Sequence, residues 1–330
     1  MTPALPGGGD YGRINWFEGV GAGGRIGGPV TKATGIPDHW SSGFFLSGLR
    51  ETISSRVRAS LPECEAGFAI ALITGERSGL NKDMRTALQL SGLAHILAIS
   101  GLQMSVVAGG VFWLKRALLA AWPMIALRLP IKKIAALSGL GVAAFYLLIS
   151  GQAIATQRAF IMLVVMFAAV LFGKSAISMR NLALAALIVL AITPHAVLTP
   201  SFQMSFMAVM GLIAGHEIMG GWQAALREKL SARPLLLHVL SKLALGLIGL
   251  SATTIIASAF TALPAAYHFN RFAVWSLPAN MMALPFVTML VMPGAVAAVA
   301  LMPFGLEYLP LQIMRLGLEA VEAVAFMVAG

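Results

Sequence analysis

The polar groups that could do chemistry in this chain stand inside apolar sequence. "LAHILAISGLQMS", from Leu93 to Ser105, sets His95, Ser100, Gln103 and Ser105 among Leu, Ile and Ala, with Gly92 just before it and Gly101 within it. An ionisable group in such a stretch either faces a cavity or is satisfied by a neighbouring carbonyl, and both readings stand for His95. As a metal ligand it would need partners at ligand spacing, and the other histidines are scattered (His39, His195, His216, His238 and His268). Arg158 in "IATQRAFIM" either snorkels to a headgroup layer or lines a polar lumen, where its planar fork suits phosphate oxygens. Gln157 beside it and Gln203 in "PSFQMSF" add uncharged hydrogen-bonding groups. Ser201, Gln203 and Ser205 serve equally well as glue between helices. Asn280 stands among Pro278, Pro285 and Pro293. The chain carries no Gly-x-Ser-x-Gly, no P-loop lysine motif and no paired carboxylates within apolar segments. The expectation is therefore a protein that is not an enzyme and takes no metal or cofactor.

The elements that hold these groups must be membrane helices. Of 330 residues, 58% are hydrophobic and only 11% charged, where soluble domains carry about 25% charge, and the mean hydropathy is +0.84. The apolar residues come in long runs, which reads as a multi-pass helical membrane protein. The formal net charge of +10 is read as topology rather than as a nucleic-acid-binding surface, because basic residues of membrane proteins collect in cytoplasmic loops. Cys64 is the single cysteine, so no internal disulfide is available and the redox compartment is unreadable.

Along the chain, residues 1–60 are Gly-rich and polar, with Ile14, Trp16 and Phe17 among turn formers, and suit turns and short strands. Residues 61–330 form the membrane domain. "CEAGFAIALITG" is too short to span and reads as a half-buried or interfacial helix. "LNKDMRTALQLSG" is amphipathic, with Met84, Leu88 and Leu90 opposite Lys82, Asp83 and Arg85. Hydrophobic segments follow at about 96–114, 134–149, 154–172, 182–193, 202–219, 235–262, 272–302 and 306–329. The loops between them alternate between basic (Lys115, Arg116, Arg128, Lys132, Lys133; then Lys174, Arg180; then Arg227, Lys229, Arg233) and neutral ("SGQA", "TPHAVLTPS"). The basic loops belong in the cytoplasm, which puts the first sixty residues and the His95 stretch outside. The prolines of 272–302 mark either a broken, re-entrant helix lining a pathway or a kinked packing helix. Arg315 and Glu319 are spaced to pair on one helical face, in a last segment that lies at the interface rather than spanning.

A resemblance follows from particular residues. "ALITGERSGLNKDMRTALQLSGLAHILAISGLQMS" resembles the signature of the ComEC family, the inner-membrane channels of bacterial DNA uptake. Its Gly-Glu-Arg-Ser turn, amphipathic helix and His-x-x-Ala-x-Ser-Gly-Leu-His run are matched by Gly75, Glu76, Arg77, Ser78, His95, Ala98, Ser100, Gly101 and Leu102. The likeness continues through "TQRAFIM", "NLALAALIVLAITPHAVLTPSFQMSFMAVMGL" and "AYHFNRFAVWSLPANMMALPFVTMLVMPG", and covers about residues 61–325 in the family's order. Gln103 stands where the family usually has its second histidine, which removes a group that titrates near neutrality.

The resemblance implies an all-α, polytopic transmembrane bundle with broken or re-entrant helices, preceded by a partial OB-like β remnant around "DYGRINWFEGVGAGGRI" within residues 1–60. It implies a bacterial inner-membrane location and a pore for single-stranded DNA, with Arg77, His95, Ser100, Gly101, Gln103, Arg158, Gln203, Asn270, Arg271 and Asn280 as the residues along its path. It implies membrane lipids, an extracytoplasmic DNA receptor and a cytoplasmic motor ATPase as partners, and leaves homo-oligomerisation open. The family's N-terminal helices, most of the OB-like region and the metallo-β-lactamase-like domain of many members have no counterpart here, so nuclease activity is not implied. Trp16 and Phe17 would stack on bases if the OB-like remnant folds. A small-solute or lipid transporter and a non-functional membrane fragment are the competing readings.

Overall fold

In a computed structural model, residues 42–97, 99–231, 235–269 and 275–329 are described. The OB-like region, with Trp16 and Phe17, lies outside them, as do Asn270 and Arg271. No strand occurs among the described residues, and Leu46–Gly330 form one compact unit.

Helix α1 (Ser42–Ser60) falls within the Gly-rich N-terminal region expected to form turns and strands. Leu49, Ile53 and Val57 recur every four residues, and Ile53 and Val57 are fully buried on that face. Its Arg50 donates to the carbonyls of Leu148 (2.7 Å) and Ile149 (2.8 Å). Those are terminal carbonyls of α7 (Ile131–Ile149), where a helix end lacks internal partners and favours positive charge.

Helix α2 (Glu63–Thr74) starts after Pro62 with Glu63 and Glu65 in its first turn and stops at Gly75, whose φ of +79° makes the left-handed cap. The sequence suggests a half-buried or interfacial helix here. Instead every residue from Ala66 to Thr74 is buried, so α2 is core. The Tyr146 hydroxyl of α7 donates to the Leu72 carbonyl at 2.7 Å. Helix α3 (Lys82–Leu90) is capped by the Asn81 side chain, which accepts from the Asp83 N–H. Its buried face is Met84, Ala87 and Leu88, whereas Leu90, expected on that face, is exposed. The short α4 (Ala94–Leu97) precedes a non-helical break, after which α5 (Gly101–Ala120) runs on.

Helices α6 (Pro123–Arg128), α7, α8 (Ile154–Leu171) and α9 (Met179–Ile192) follow, and a 3₁₀ turn at Pro194–Leu198 leads into α10 (Pro200–Ser231) and α11 (Leu235–Phe269). Among the described residues, four helices are long and apolar enough to cross a membrane: α5, α7, α8 and the stretch Ser276–Phe304. Outward-facing Trp113, Leu114 and Leu118 on α5 and Leu184 and Leu187 on α9 give these helices the apolar exterior that lipid requires. Helices α5 and α7 touch at Gly139, where an added Cβ would come within 2.8 Å of the Ala108 carbonyl oxygen. Such small residues let membrane helices approach closely.

The proline-rich stretch stays helical. Helix α12 (Ser276–Phe286) passes through a π-helical segment, Val287–Val291, into α13 (Met292–Leu301). Proline lacks the N–H of the α-helical ladder and clashes with the carbonyl four residues back. Between Pro285 and Pro293 the ladder slips to the wider π pattern, with the Met292 N–H reaching Val287 O. Over the described residues 276–301 the helix continues through the prolines, as the kinked-helix alternative expects.

Helix α14 (Tyr308–Ala329) buries Leu311, Met314, Leu318, Val321 and Ala325 along one stripe. It packs against α2, α3, α12 and α13, so it is a packing helix of the core. The Arg315–Glu319 pair forms at 2.7 Å. Beside it, the Cys64 thiol lies 3.8 Å from Glu322 Oε1. Burial, then the charge of Glu322, raises the thiol pKa above its ordinary value. Burial and the charge of Glu65 likewise raise the Glu322 carboxyl, against the Cys64 hydrogen bond. A raised carboxyl pKa means that the folded state binds its proton more tightly than the unfolded chain, so ionising Glu322 at neutral pH costs stability. Glu322→Gln is expected to raise the melting temperature in detergent at pH 7–8, with the gain vanishing as the pH falls below the folded carboxyl pKa. Equal melting temperatures at all pH values would refute this.

Candidate functional site

The candidate polar groups collect at one end of the bundle, around the interruption before α5. Ala98 is outside the described residues, and Ile99 and Ser100 are non-helical. Ser100, extended at φ −100°, ψ 165°, is the N-cap of α5. The Ser100 N–H donates to Gln103 Oε1 at 2.9 Å, the Gln103 N–H donates to Ser100 Oγ at 3.3 Å, and Gln103 Nε2 donates back to the Ile96 carbonyl at 2.8 Å. This is a capping box with a third bond that ties α5 to α4. Gln103 is fully buried, so its amide is committed to closing the break. The Ser-x-x-Gln spacing carries that role in the sequence. Gly101 is exposed in the first turn of α5, and a Cβ there would make only ordinary contact with Ala159 at 3.9 Å.

His95 sits on α4 with its ring exposed. Nδ1 lies 3.1 Å from the Gly92 carbonyl, a contact that assigns the proton to Nδ1 and leaves Nε2 free. The reading of His95 as satisfied by a neighbouring carbonyl holds at Nδ1. Desolvation lowers its pKa, against the Gly92 hydrogen bond.

Across the break, Gly75 of the Gly-Glu-Arg-Ser turn abuts the "SGQA" loop. A Cβ on Gly75 would come within 2.6 Å of Ser150 O. That loop turns through two left-handed residues, Gly151 (φ 77°) and Gln152 (φ 56°), and delivers Arg158 to the first turns of α8. Arg158 is 3% exposed and does not snorkel. Its Nη2 donates to the Ser201 carbonyl at 2.9 Å and to Ser201 Oγ, at the start of α10. Nε and Nη1 are buried without a partner, as is Thr156 Oγ1, and no ion pair reaches Arg158 among the described residues. Two residues on, Gln203 Nε2 donates to the Val197 carbonyl at 2.9 Å. Its Oε1 faces His268 Nε2 of α11, also at 2.9 Å, and so accepts that proton. The His268 contact had no signal in the sequence, because it joins residues 65 apart.

Residues 72–330 match the family of competence proteins. The chain belongs to the competence-protein family. It is 28% identical over 260 residues to ComE operon protein 3 of Bacillus subtilis, covering 79% of this chain and 30% of that protein. It is 34% identical over 236 residues to competence protein ComA of Neisseria gonorrhoeae, covering 68% of this chain and 33% of that one. The chain thus spans about a third of the length of these curated relatives. No solved structure matches it significantly.

The family match begins at Leu72 and so takes in the capped break, Arg77, His95 and Arg158. Asn280, on α12, makes no hydrogen bond to this group, and its Oδ1 is buried without a partner. Among the described residues no three His, Cys, Asp or Glu side chains gather as a metal site would require. Removing the amide that closes the break strands the Ser100 N–H and the Ile96 carbonyl. Gln103→Leu is expected to cost about 1–3 kcal/mol, and Ser100→Ala about 1 kcal/mol, in denaturant unfolding of the detergent-solubilised chain. A neutral Gln103→Leu would show that water closes the break as well as the amide does.

Proposed function

We propose that this chain forms the membrane part of a conduit for single-stranded DNA across the bacterial inner membrane during competence. Arg158 carries the reading. A guanidinium taken out of water without a carboxylate partner costs several kcal/mol, and here two of its three nitrogens have no hydrogen-bond partner among the described residues. An intramembrane cation left in that state needs an anion that comes and goes. A phosphodiester fits, since its oxygens match the guanidinium fork. Membership of the competence family supports the same substrate.

The conduit's outer mouth is the end that gathers Arg77, His95, the Ser100–Gly101 break, Arg158, Ser201 and Gln203. The basic loops at the opposite side put that end, and the N-terminal region, outside the cytoplasm. The protein positions and passes the strand and catalyses no bond change, so the work comes from elsewhere: a receptor that delivers DNA outside and a motor ATPase that draws it in.

The test replaces the corresponding segment of a full-length relative with this one, in a competent bacterium that lacks its own channel, and counts transformants. The chimera is expected to restore transformation. Arg158→Ala is expected to return it to background with the protein still in the membrane, and Arg158→Lys to retain part, because the charge stays while the fork is lost. Undiminished transformation with Arg158→Ala contradicts the reading.

A further inference from the structure

Two arginines that no ion pair engages meet at a cavity just outside the break. The cavity has a volume of 140 Å³ and is lined by Arg77, Leu80, Arg85, Gln89, Ala94 and Leu97. Arg77 comes from the turn after α2. Arg85 and Gln89 stand four apart on α3 and so share one face, and Ala94 and Leu97 close the floor from α4. Neither arginine enters an ion pair among the described residues. The neighbouring Glu76 accepts from the Ser78 hydroxyl at 2.7 Å within its own turn and does not line the cavity.

We infer that this cavity binds one phosphodiester of an incoming single strand, with Arg85 and Gln89 as binding residues beside Arg77. The lining offers two guanidinium forks and one amide and no carboxylate, a donor set for a phosphate anion. The volume holds more than a bare phosphate, as room for a single water takes only about 10–15 Å³. The apolar floor of Leu80, Ala94 and Leu97 suits the adjoining sugar. A lipid phosphate has the same headgroup chemistry, but the exposed side of α3 is mainly polar: Lys82, Asp83, Arg85, Thr86 and Gln89 face outward, with Leu90 the one large apolar residue beside them. A lone exposed leucine gives an acyl chain no continuous apolar track along α3, so the strand is favoured. The site adjoins α4, which carries His95 and leads into the break, and so would hold the strand one step before Arg158. This inference rests on the conduit reading for its substrate, and its geometry stands apart from it.

The experiment uses the purified 330-residue chain in phosphatidylcholine nanodiscs and a fluorescent oligothymidylate, titrated at several salt concentrations. Arg77→Gln and Arg85→Gln are each expected to weaken binding severalfold. Each is also expected to lower the slope of log affinity against log salt by about 0.7, the value for one phosphate contact on a single strand. Both positions are exposed, so the variants fold, and Arg85→Glu is expected to lose more than Arg85→Gln. Unchanged affinity and slope in all three variants overturns the site. Loss of binding to phosphatidylglycerol vesicles with oligonucleotide binding intact overturns it too, in favour of lipid. Arginine-dependent binding in a chain whose chimera does not transform keeps the site and removes the conduit. Restored transformation with binding indifferent to Arg77 and Arg85 keeps the conduit and removes the site.

Discussion

Backbone N–H and C=O groups have no water to turn to beside hydrocarbon, so a chain can stop being helical at the end of a membrane span only where protein atoms take up the freed bonds. At the break before α5 that condition is met by two side chains, Ser100 Oγ, which accepts the Gln103 N–H, and the Gln103 amide. The Gln103 amide accepts from the Ser100 N–H and donates to the Ile96 carbonyl, seven residues back. With those bonds made, α4 can end, His95 can sit exposed on a short separate turn, and α5 can begin afresh at Gly101. On the same side, the Gly75 turn packs closely against Ser150, with Gly101 in ordinary contact with Ala159. Arg158 lies one residue before Ala159 and is held by Ser201.

Arg158 and Gln103 represent two ways of spending polarity inside a membrane protein. Gln103 is satisfied and structural. Arg158 is held by one nitrogen to Ser201 and left open at the others. Ser201 and Gln203 open α10, where the Arg158 bonds come from α8 and the His268 bond from α11. The first turn of α10 is thus clasped from two helices, which fixes the guanidinium without neutralising it. A fixed, unneutralised cation at the end of a span is what a transient anion can use.

Much of this was legible in the sequence. The hydrophobic segments at 134–149 and 154–172 correspond to Ile131–Ile149 and Ile154–Leu171, because lipid-facing surface must be apolar whatever the tertiary fold. The Arg315–Glu319 pair followed from helical spacing alone. Residues 63–74, read as half-buried or interfacial, are core from Ala66 to Thr74, since a short run that is apolar all round suits an interface and a core equally, and only the packing of α7 and α14 around it decides. The prolines of 272–302 left a broken helix and a kinked packing helix equally open, and the change of hydrogen-bond register that absorbs them is not reported by composition. The polar character of Gln103 was plain, but its commitment to the cap depended on reading Ser100 and Gln103 as a pair. The Gln203–His268 contact and the convergence of Arg77 with Arg85 depend on tertiary approach, which periodicity does not encode.

The central claim, that DNA passes the mouth beside Arg158, is tested most directly by crosslinking during uptake. A photoreactive residue placed at the exposed Gln157, next to Arg158, would be illuminated in cells taking up labelled DNA, with the outward-facing Leu187 as the lipid-side control. The account predicts labelled adducts at position 157 and none at 187. Adducts at neither position while uptake proceeds, or at both alike, would contradict it.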